Sequence, residues 1–215
     1  MKKQQKTVEK IISLYPSLPI IDKIFCRLRF LIFPVKEILR IIPNDGSLLD
    51  IGCGYGFITN AIAILNPHLS VYGFDINKYR IKLAQNSVSN RNNIRFLVSD
   101  LNNKLDKLPK YNVITCIDLL HHIEKKFHNR VIADIYDHLE KNGTLIIKDI
   151  DTRPWYKYYW NYFHDLIVNK GQLVYCRSHF EWISMLKKKG FQIKLLIFPK
   201  KGLLYPHFII TAIKL

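Results

Sequence analysis

The stretch Leu48-Leu49-Asp50-Ile51-Gly52-Cys53-Gly54-Tyr55-Gly56 constrains this chain more than any other. A short apolar run, Leu48–Ile51, enters three glycines placed at every second residue, and a helical pattern follows over Thr59–Leu65. A strand that turns on glycines into a helix opens a βα unit. Without a Cβ, the backbone can turn sharply there and approach a ligand closely. The spacing discriminates between ligands. The dinucleotide fingerprint G-x-G-x-x-G needs glycine at position 57, where this chain has Phe57, and the third glycine comes one place early, at Gly56. Asp50, just ahead of the turn, would sit poorly beside a pyrophosphate and suits a ligand with a cationic amino-acid end. The pattern points away from a nicotinamide dinucleotide.

Strand and helix patterns alternate after this turn. Val71–Phe74 reads as a strand, followed by a helix through Ile81, Leu83 and Ala84; Ile94–Val98 and Val113–Ile117 are two further strands. Phe127–Leu139 reads as a helix with Val131, Ile132, Ile135 and Leu139 on one face, and Asn142-Gly143 turns the chain into a fifth strand, Thr144–Ile150. Such alternation predicts an α/β fold, a Rossmann-like and mostly parallel sheet with helices on both faces. The rhythm changes over residues 151–180, where Trp155, Tyr156, Tyr158, Tyr159, Trp160, Tyr162 and Phe163 crowd together. A helix at Phe180–Lys189 should stop at Gly190. Phe191–Phe198 and His207–Ile213 then complete seven strands as an antiparallel C-terminal hairpin, joined through Lys200, Lys201, Gly202 and Pro206. Ahead of the first strand, residues 1–20 read as a mobile lead-in punctuated by Pro16 and Pro19. From Asp22 to Ile42 the spacing is helical and broken at Pro34, and Pro43-Asn44-Asp45-Gly46 is a turn. The expected organisation is a single domain over 1–215, with an N-terminal helical extension (1–43) and an aromatic cap insertion (151–180).

Length and composition bound the function. A chain of 215 residues, 48% hydrophobic and 23% charged, can bury a sizeable core. The net charge of +16 would suit nucleic acid, an anionic membrane or acidic substrates. The basic residues are scattered in short clusters (Lys2-Lys3, Lys125-Lys126, Lys187-Lys188-Lys189, Lys200-Lys201), which favours solvated surface over a dedicated groove. Cys26, Cys53, Cys116 and Cys176 form no CxxC pair, which argues against a zinc knuckle or dithiol site. Cys53 and Cys116 read as buried small hydrophobes, and a reducing, cytoplasmic setting fits. The basic N-terminus lacks a signal peptide's apolar core. Arg27, Arg29, Pro34, Lys36, Glu37 and Arg40 interrupt Ile20–Ile42, so it is no membrane span. Its amphipathic, basic part from Ile24 to Ile42 does suggest peripheral contact with an anionic membrane.

Asp-x-Gly-x-Gly-x-Gly resembles the first motif of class I S-adenosylmethionine-dependent methyltransferases. The resemblance runs over roughly residues 24–150, and the local string is most similar to bacterial small-molecule methyltransferases of the ubiquinone and menaquinone biosynthesis type. It implies S-adenosyl-L-methionine as cofactor, with Asp50, Gly52, Cys53, Gly54 and Gly56 beneath its methionine part. Asp75, followed by Ile76, ends the second strand, where a carboxylate can accept both ribose hydroxyls. Asp100, followed by Leu101, stands where the family receives the adenine amino group. Cys116-Ile117-Asp118-Leu119-Leu120-His121-His122-Ile123 resembles the fourth motif, in which Ile117 and Asp118 would line the cofactor.

Methyl transfer from a sulfonium is an in-line displacement, and a phenol, enol or acid acceptor must also lose a proton. A neutral histidine suits that task near pH 7, which makes His121 and His122 candidates by position. His164 beside Asp165 is another, as are Arg177-Ser178-His179, as a base or an anion clamp, and His207; an ordinary surface role competes for each. Trp155 and Tyr159 are expected to offer an apolar wall with polar tips to an acceptor, or else to cover the sheet edge. Arg153 and Lys157 between the rings could neutralise an acidic acceptor. His121, His122 and Glu124 do not make a metal set, so no metal is expected. The favoured reading is O- or C-methylation of a small-molecule acceptor that is aromatic or lipid-like. An RNA acceptor held by the basic surface is the alternative, disfavoured because the fourth motif has no Asn-Pro-Pro-Tyr-like string. A non-enzymatic binding module is a third reading, and the intact acidic and glycine positions argue against it.

Overall fold

Parallel strands covered on both faces should be buried continuously rather than at alternate residues. The inner strands of this protein follow that rule. The computed structural model describes residues 2–32, 35–99, 109–168, 173–199 and 205–215, with the side chains of 2–6, 25, 29, 31–32, 35–36 and 164–168 excepted. These residues fall into two compact units, 1–103 and 104–215. Seven strands form a mixed, mostly parallel sheet, in the order Ile94–Val98, His68–Asp75, Asp45–Ile51 within unit 1 and Tyr111–Ile117, Leu139–Ile150, His207–Lys214, Phe191–Ile197 within unit 2.

Unit 1 runs α1 (Lys2–Ser13), α2 (Ile20–Ile32), α3 (Val35–Ile41), β1 (Asp45–Ile51), α4 (Phe57–Leu65), β2 (His68–Asp75), α5 (Lys78–Asn86) and β3 (Ile94–Val98). β1 pairs in parallel with β2, and β2 with β3. Leu48 through Ile51 are buried without a break, whereas β3 alternates and then opens to solvent at Leu97 and Val98. α4 packs on β2, and α5 on β2 and β3. Asn77 caps α5 by accepting from Arg80 N at 3.0 Å.

The expectation of a mobile lead-in over residues 1–20 is corrected by α1. Val8, Ile11, Ile12 and Tyr15 recur at helical spacing and are all buried. Pro16 and Pro19 lie beyond the helix end and stop it rather than loosen it. The expected break at Pro34 lies outside the described residues; α2 ends at Ile32 and α3 begins at Val35.

Unit 2 contains β4 (Tyr111–Ile117), two short 3-10 turns (Leu120–His122 and Lys125–Phe127), α6 (His128–Asp137), β5 (Leu139–Ile150), α7 (Trp155–Val168), α8 (His179–Lys189), β6 (Phe191–Ile197) and β7 (His207–Lys214). β4 and β5 are parallel, while β7 runs antiparallel to both β5 and β6. Asn142-Gly143 does not precede the fifth strand as expected but lies inside it. Tyr111 pairs with Leu139 and Val113 with Thr144, so residues 140–143 bulge from the ladder, with Asn142 at φ 61°. Ser178 and Glu181 form a capping box at the start of α8, and Gly190 ends it as the sequence suggests. Among the described residues, no helix is long and apolar enough to cross a membrane.

Gly56 lies at φ 74°, and a Cβ there would come within 2.5 Å of Phe96 Cζ; Phe96 is itself buried. Gly56→Ala should therefore lower the unfolding free energy by roughly 2–5 kcal/mol, combining left-handed backbone strain with displacement of a packed ring. A Cβ on Gly54 would meet nothing within 4 Å. Gly54→Ala should cost only the ~1–2 kcal/mol of the backbone. Urea denaturation of the two variants tests the contrast, and equal midpoints would refute it.

Candidate functional site

In unit 1 the glycine turn hangs from the carboxyl end of β2. Gly52 N and Cys53 N donate to Phe74 O at 2.8 and 3.0 Å. Gly54 N donates to Asp75 Oδ2 at 2.9 Å, and Asn77 N donates to Asp75 Oδ1 at 2.8 Å. Gly52, Gly54 and Gly56 take φ values of 73°, 57° and 74°, a left-handed region in which an L side chain is strained. These bonds leave each oxygen of Asp75 a further lone pair. Open space lies in front of Gly54, so the turn is a cradle that a side chain would enter. Ile76, next along, is 66% exposed. Asp100 and Leu101 lie outside the described residues.

Asp50 faces into the unit rather than out of it. Its carboxylate is buried and accepts from Thr59 Oγ1 at 2.6 Å, which joins β1 to the first turns of α4. Cys53, expected to be buried, is partly exposed. Its thiol is pushed well up by burial and by the Asp50 and Asp75 carboxylates, so it stays protonated.

The sequence offered no sign of the support beneath this turn. Tyr15 Oη donates to Tyr55 O at 2.6 Å and accepts from Asn60 Nδ2 at 2.6 Å. Asn60 Nδ2 also lies 2.9 Å from Ser87 Oγ, and Arg91 donates to Asn60 Oδ1 at 2.5 Å. The Tyr15 ring meets Phe57 edge-on at 5.0 Å, and Tyr55 stacks on Phe57 at 5.5 Å. Burial raises the Tyr15 phenol far above its ordinary range, so it works only as a neutral hydroxyl.

Unit 2 gathers three buried charged residues, Lys148, Asp149 and Asp151, at the carboxyl end of β5. Lys148 is buried and forms an ion pair with Asp118, whose backbone sits at φ 51°. His121 is buried, with Nδ1 against Asp149 Oδ1 and its backbone N donating to Asp149 Oδ2 at 3.2 Å. Asp151, two residues further, holds His179 Nδ1 at 2.5 Å. A carboxylate only accepts, so each Nδ1 carries the proton and the remaining basic nitrogen of each ring is Nε2. The Asp149 and Asp151 partners were not foreseen; a lysine and two carboxylates in Lys148-Asp149-Ile150-Asp151 were the available signal.

The other candidates disperse. Ile117 is buried in β4, and His122 is exposed with its ring 4.1 Å from that of His121. Arg177 is engaged within unit 2, donating to His128 Nδ1 at 2.9 Å, Glu181 Oε1 at 2.9 Å and Lys125 O at 3.3 Å. His207 stacks on Tyr205 at 5.6 Å. Trp155 and Tyr159 are 70% and 53% exposed on α7. His164 falls on the same helix, with its side chain outside the described residues. Among the described residues no group of three or more His, Cys, Asp or Glu could hold a metal.

Tyr15→Phe leaves the Tyr55 carbonyl and one Asn60 contact without the hydroxyl, and should cost about 1–3 kcal/mol of stability, read by urea denaturation; an unchanged midpoint would remove the support assigned to α1. His128 is buried and fully satisfied, its Nε2 donating to Leu120 O and Ile123 O and its Nδ1 accepting from Arg177. Burial, and the neighbouring guanidinium, hold its imidazole below the usual range. The unfolded chain then takes up a proton near pH 6.5 that the folded protein refuses, so this contribution is intact above about pH 6.5 and declines below it. The stability difference between wild type and His128→Gln should shrink from pH 7.5 to pH 5.5, and a difference that grows would contradict the assignment.

A family model described as a methyltransferase domain matches residues 26–196. The malonyl-[acyl-carrier protein] O-methyltransferase of Halalkalibacterium halodurans is 25% identical over 114 residues, which is 52% of this chain and 41% of that enzyme. The release factor glutamine methyltransferase of Fusobacterium nucleatum is 34% identical over 119 residues, 54% of this chain and 33% of that one. This chain thus spans less than half the length of either relative. Among solved structures, the magnesium protoporphyrin IX methyltransferase of Synechocystis PCC 6803, with bound SAH, superimposes with a TM-score of 0.71 at 18% identity, covering 96% of this chain and 94% of that one. The fold is shared over nearly the whole of both. With the family model covering most of its length, the chain belongs to the methyltransferase-domain family, the class I enzymes that use S-adenosyl-L-methionine.

Proposed function

We propose that this protein methylates a small-molecule acceptor with an aromatic or lipid-like portion, at oxygen or carbon. The observation that carries the cofactor half is the open cradle at Gly54, edged by a carboxylate whose orientation is already fixed by two backbone donors. Gly52, Cys53, Gly54 and Gly56 would lie beneath the methionine part. Asp75 would accept from the ribose hydroxyls and Ile76 would border the adenine, while Asp100 and Leu101 are assigned to the adenine from their motif positions alone. Asp50 acts one layer back by holding Thr59 and the start of α4. When bound, S-adenosyl-L-methionine supplies a sulfonium methyl that an acceptor nucleophile takes in line, the carbon–sulfur pair remaining on sulfur.

The acceptor half rests on unit 2. Trp155 and Tyr159 offer exposed rings with polar tips, suited to an acceptor with a ring or an acyl chain. Proton removal falls to a histidine at the carboxyl end of β5. His121 is held by Asp149, with the tilted His122 ring 4.1 Å away, and the Asp149 bond favours the tautomer that keeps Nε2 basic. Ile117 and Asp118 stand at the fourth-motif positions, with Asp118 oriented by Lys148.

Calorimetry with S-adenosylhomocysteine tests the cofactor site. The wild type should bind, and Asp75→Ala should lose affinity by about ten- to a hundredfold, the worth of one or two charge-assisted hydrogen bonds. Cell extract incubated with the protein and isotopically labelled methyl donor should yield label in small, organic-extractable molecules by mass spectrometry. Label confined to RNA or to protein would overturn the acceptor assignment.

A further inference from the structure

α7 presents an unusual surface. Trp155, Tyr156, Tyr159, Trp160 and Phe163 are 70%, 57%, 53%, 53% and 61% exposed. Their spacing places them along one stripe of the helix, ~12 Å long at 1.5 Å per residue. The opposite side is occupied: Tyr158 and Tyr162 pack on Ile150, Val174 and Cys176, and Asn161 is buried. Single exposed apolar residues need no explanation, but a continuous aromatic face marks a partner.

The chemistry of the face selects that partner. Indole and phenol rings carry an apolar body and a polar tip, the combination that settles at a water–lipid boundary. Arg153 is exposed at the entrance to the helix, Lys157 sits among the rings, and no acidic residue occurs between Thr152 and His164. The whole chain carries 33 Lys and Arg against 17 Asp and Glu, a balance that draws it to anionic headgroups. Nucleic acid fits less well, because a strand needs a track of cations along its backbone and this segment has two. A small acceptor could cover one or two rings, not the stripe. We propose that α7 is an interfacial helix that docks the protein on an anionic lipid surface, its aromatic face lying at headgroup depth.

Unit 1 carries an independent face of the same kind. On α2, Ile20, Ile21, Ile24 and Leu28 are 76%, 80%, 48% and 51% exposed, while Cys26 and Phe30 on the other side are buried. Lys23 and Arg27 border this stripe, Arg27 being paired with Glu9. Docking goes beyond the acceptor assignment: it needs no cofactor, and its failure would leave methyl transfer standing.

The three tryptophans make the test direct, since Trp155 and Trp160 lie on the proposed face while Trp182 is buried. Full-length protein should co-sediment with phosphatidylcholine vesicles containing phosphatidylglycerol. Its emission should shift to the blue and be quenched by brominated lipid, and binding should weaken as salt rises. Trp160→Ser with Phe163→Ser should retain the melting temperature and bind these vesicles about tenfold more weakly or worse, given the apolar area removed. Ile21→Ser with Ile24→Ser reads the α2 face in the same assay. Absence of sedimentation and of spectral shift on anionic vesicles would overturn the proposal. So would an unchanged affinity in the Trp160/Phe163 variant, a dimer that shields the tryptophans without lipid, or RNA that displaces the protein from vesicles.

Discussion

Asp75 and the glycine turn hold each other. A carboxylate at the end of β2 accepts one backbone N–H from the turn, Gly54, and one from the chain entering α5, Asn77. Remove it and the turn keeps its bonds to Phe74 O, from Gly56 N to Cys53 O and from Tyr15 to Tyr55 O, none of which holds the N–H of Gly54 at the crest. At the crest the left-handed backbone is not held by side-chain packing, because nothing lies within 4 Å of the place a Gly54 Cβ would take. A charge-assisted hydrogen bond to the backbone is the remaining means of fixing it. The same oxygens that orient the turn each retain a lone pair, so under the proposed function order of the turn and recognition of the ligand would depend on one group.

The turn is also supported from beneath. Tyr15, brought in by α1, bonds the carbonyl of Tyr55, and Asn60, Ser87 and Arg91 fasten that hydroxyl to α4 and α5. The buried Tyr15 hydroxyl is fully used, which avoids the cost of an unsatisfied buried polar group, whereas Arg91 is half-buried and its Nη1 has no hydrogen-bond partner among the described residues. The N-terminal extension is therefore part of the apparatus that shapes the turn and not a neutral appendage. Phe96 closes the arrangement by filling the space that side chains at Gly56 and Gly73 would otherwise claim.

How much of this was legible beforehand depended on the range of each interaction. β3 was read from the sequence with both of its ends in place, and the glycine turn was read from spacing alone, because strand burial and backbone curvature leave local traces. The stop of α8 at Gly190 was equally local. The Tyr15–Tyr55 bond spans 40 residues and has no periodic signature, so residues 1–20 looked loose until α1 was seen to bury Val8, Ile11 and Ile12. Asn142-Gly143 shows the opposite limit. The pair reads as a turn ahead of the strand; Asn142 does take a positive φ, but whether that makes a turn or a bulge is decided by the partner strand, here β4.

The end of β5 shows why side-chain pairings between distant segments are harder to read than a glycine turn. Asp149 and Asp151 are two residues apart, and each clamps a histidine that arrives from a different part of the chain, His121 from the turn after β4 and His179 from the start of α8. No spacing rule relates positions 121, 149, 151 and 179. What the strand could reveal was an anomaly: Lys148, Asp149 and Asp151 in a stretch otherwise buried and apolar. Buried charge survives only when it is paired. Three such residues at a strand end therefore demanded three partners, and Asp118, His121 and His179 are the groups that meet the demand. Arg177 obeys the same rule, its guanidinium being shared among His128, Glu181 and the Lys125 carbonyl.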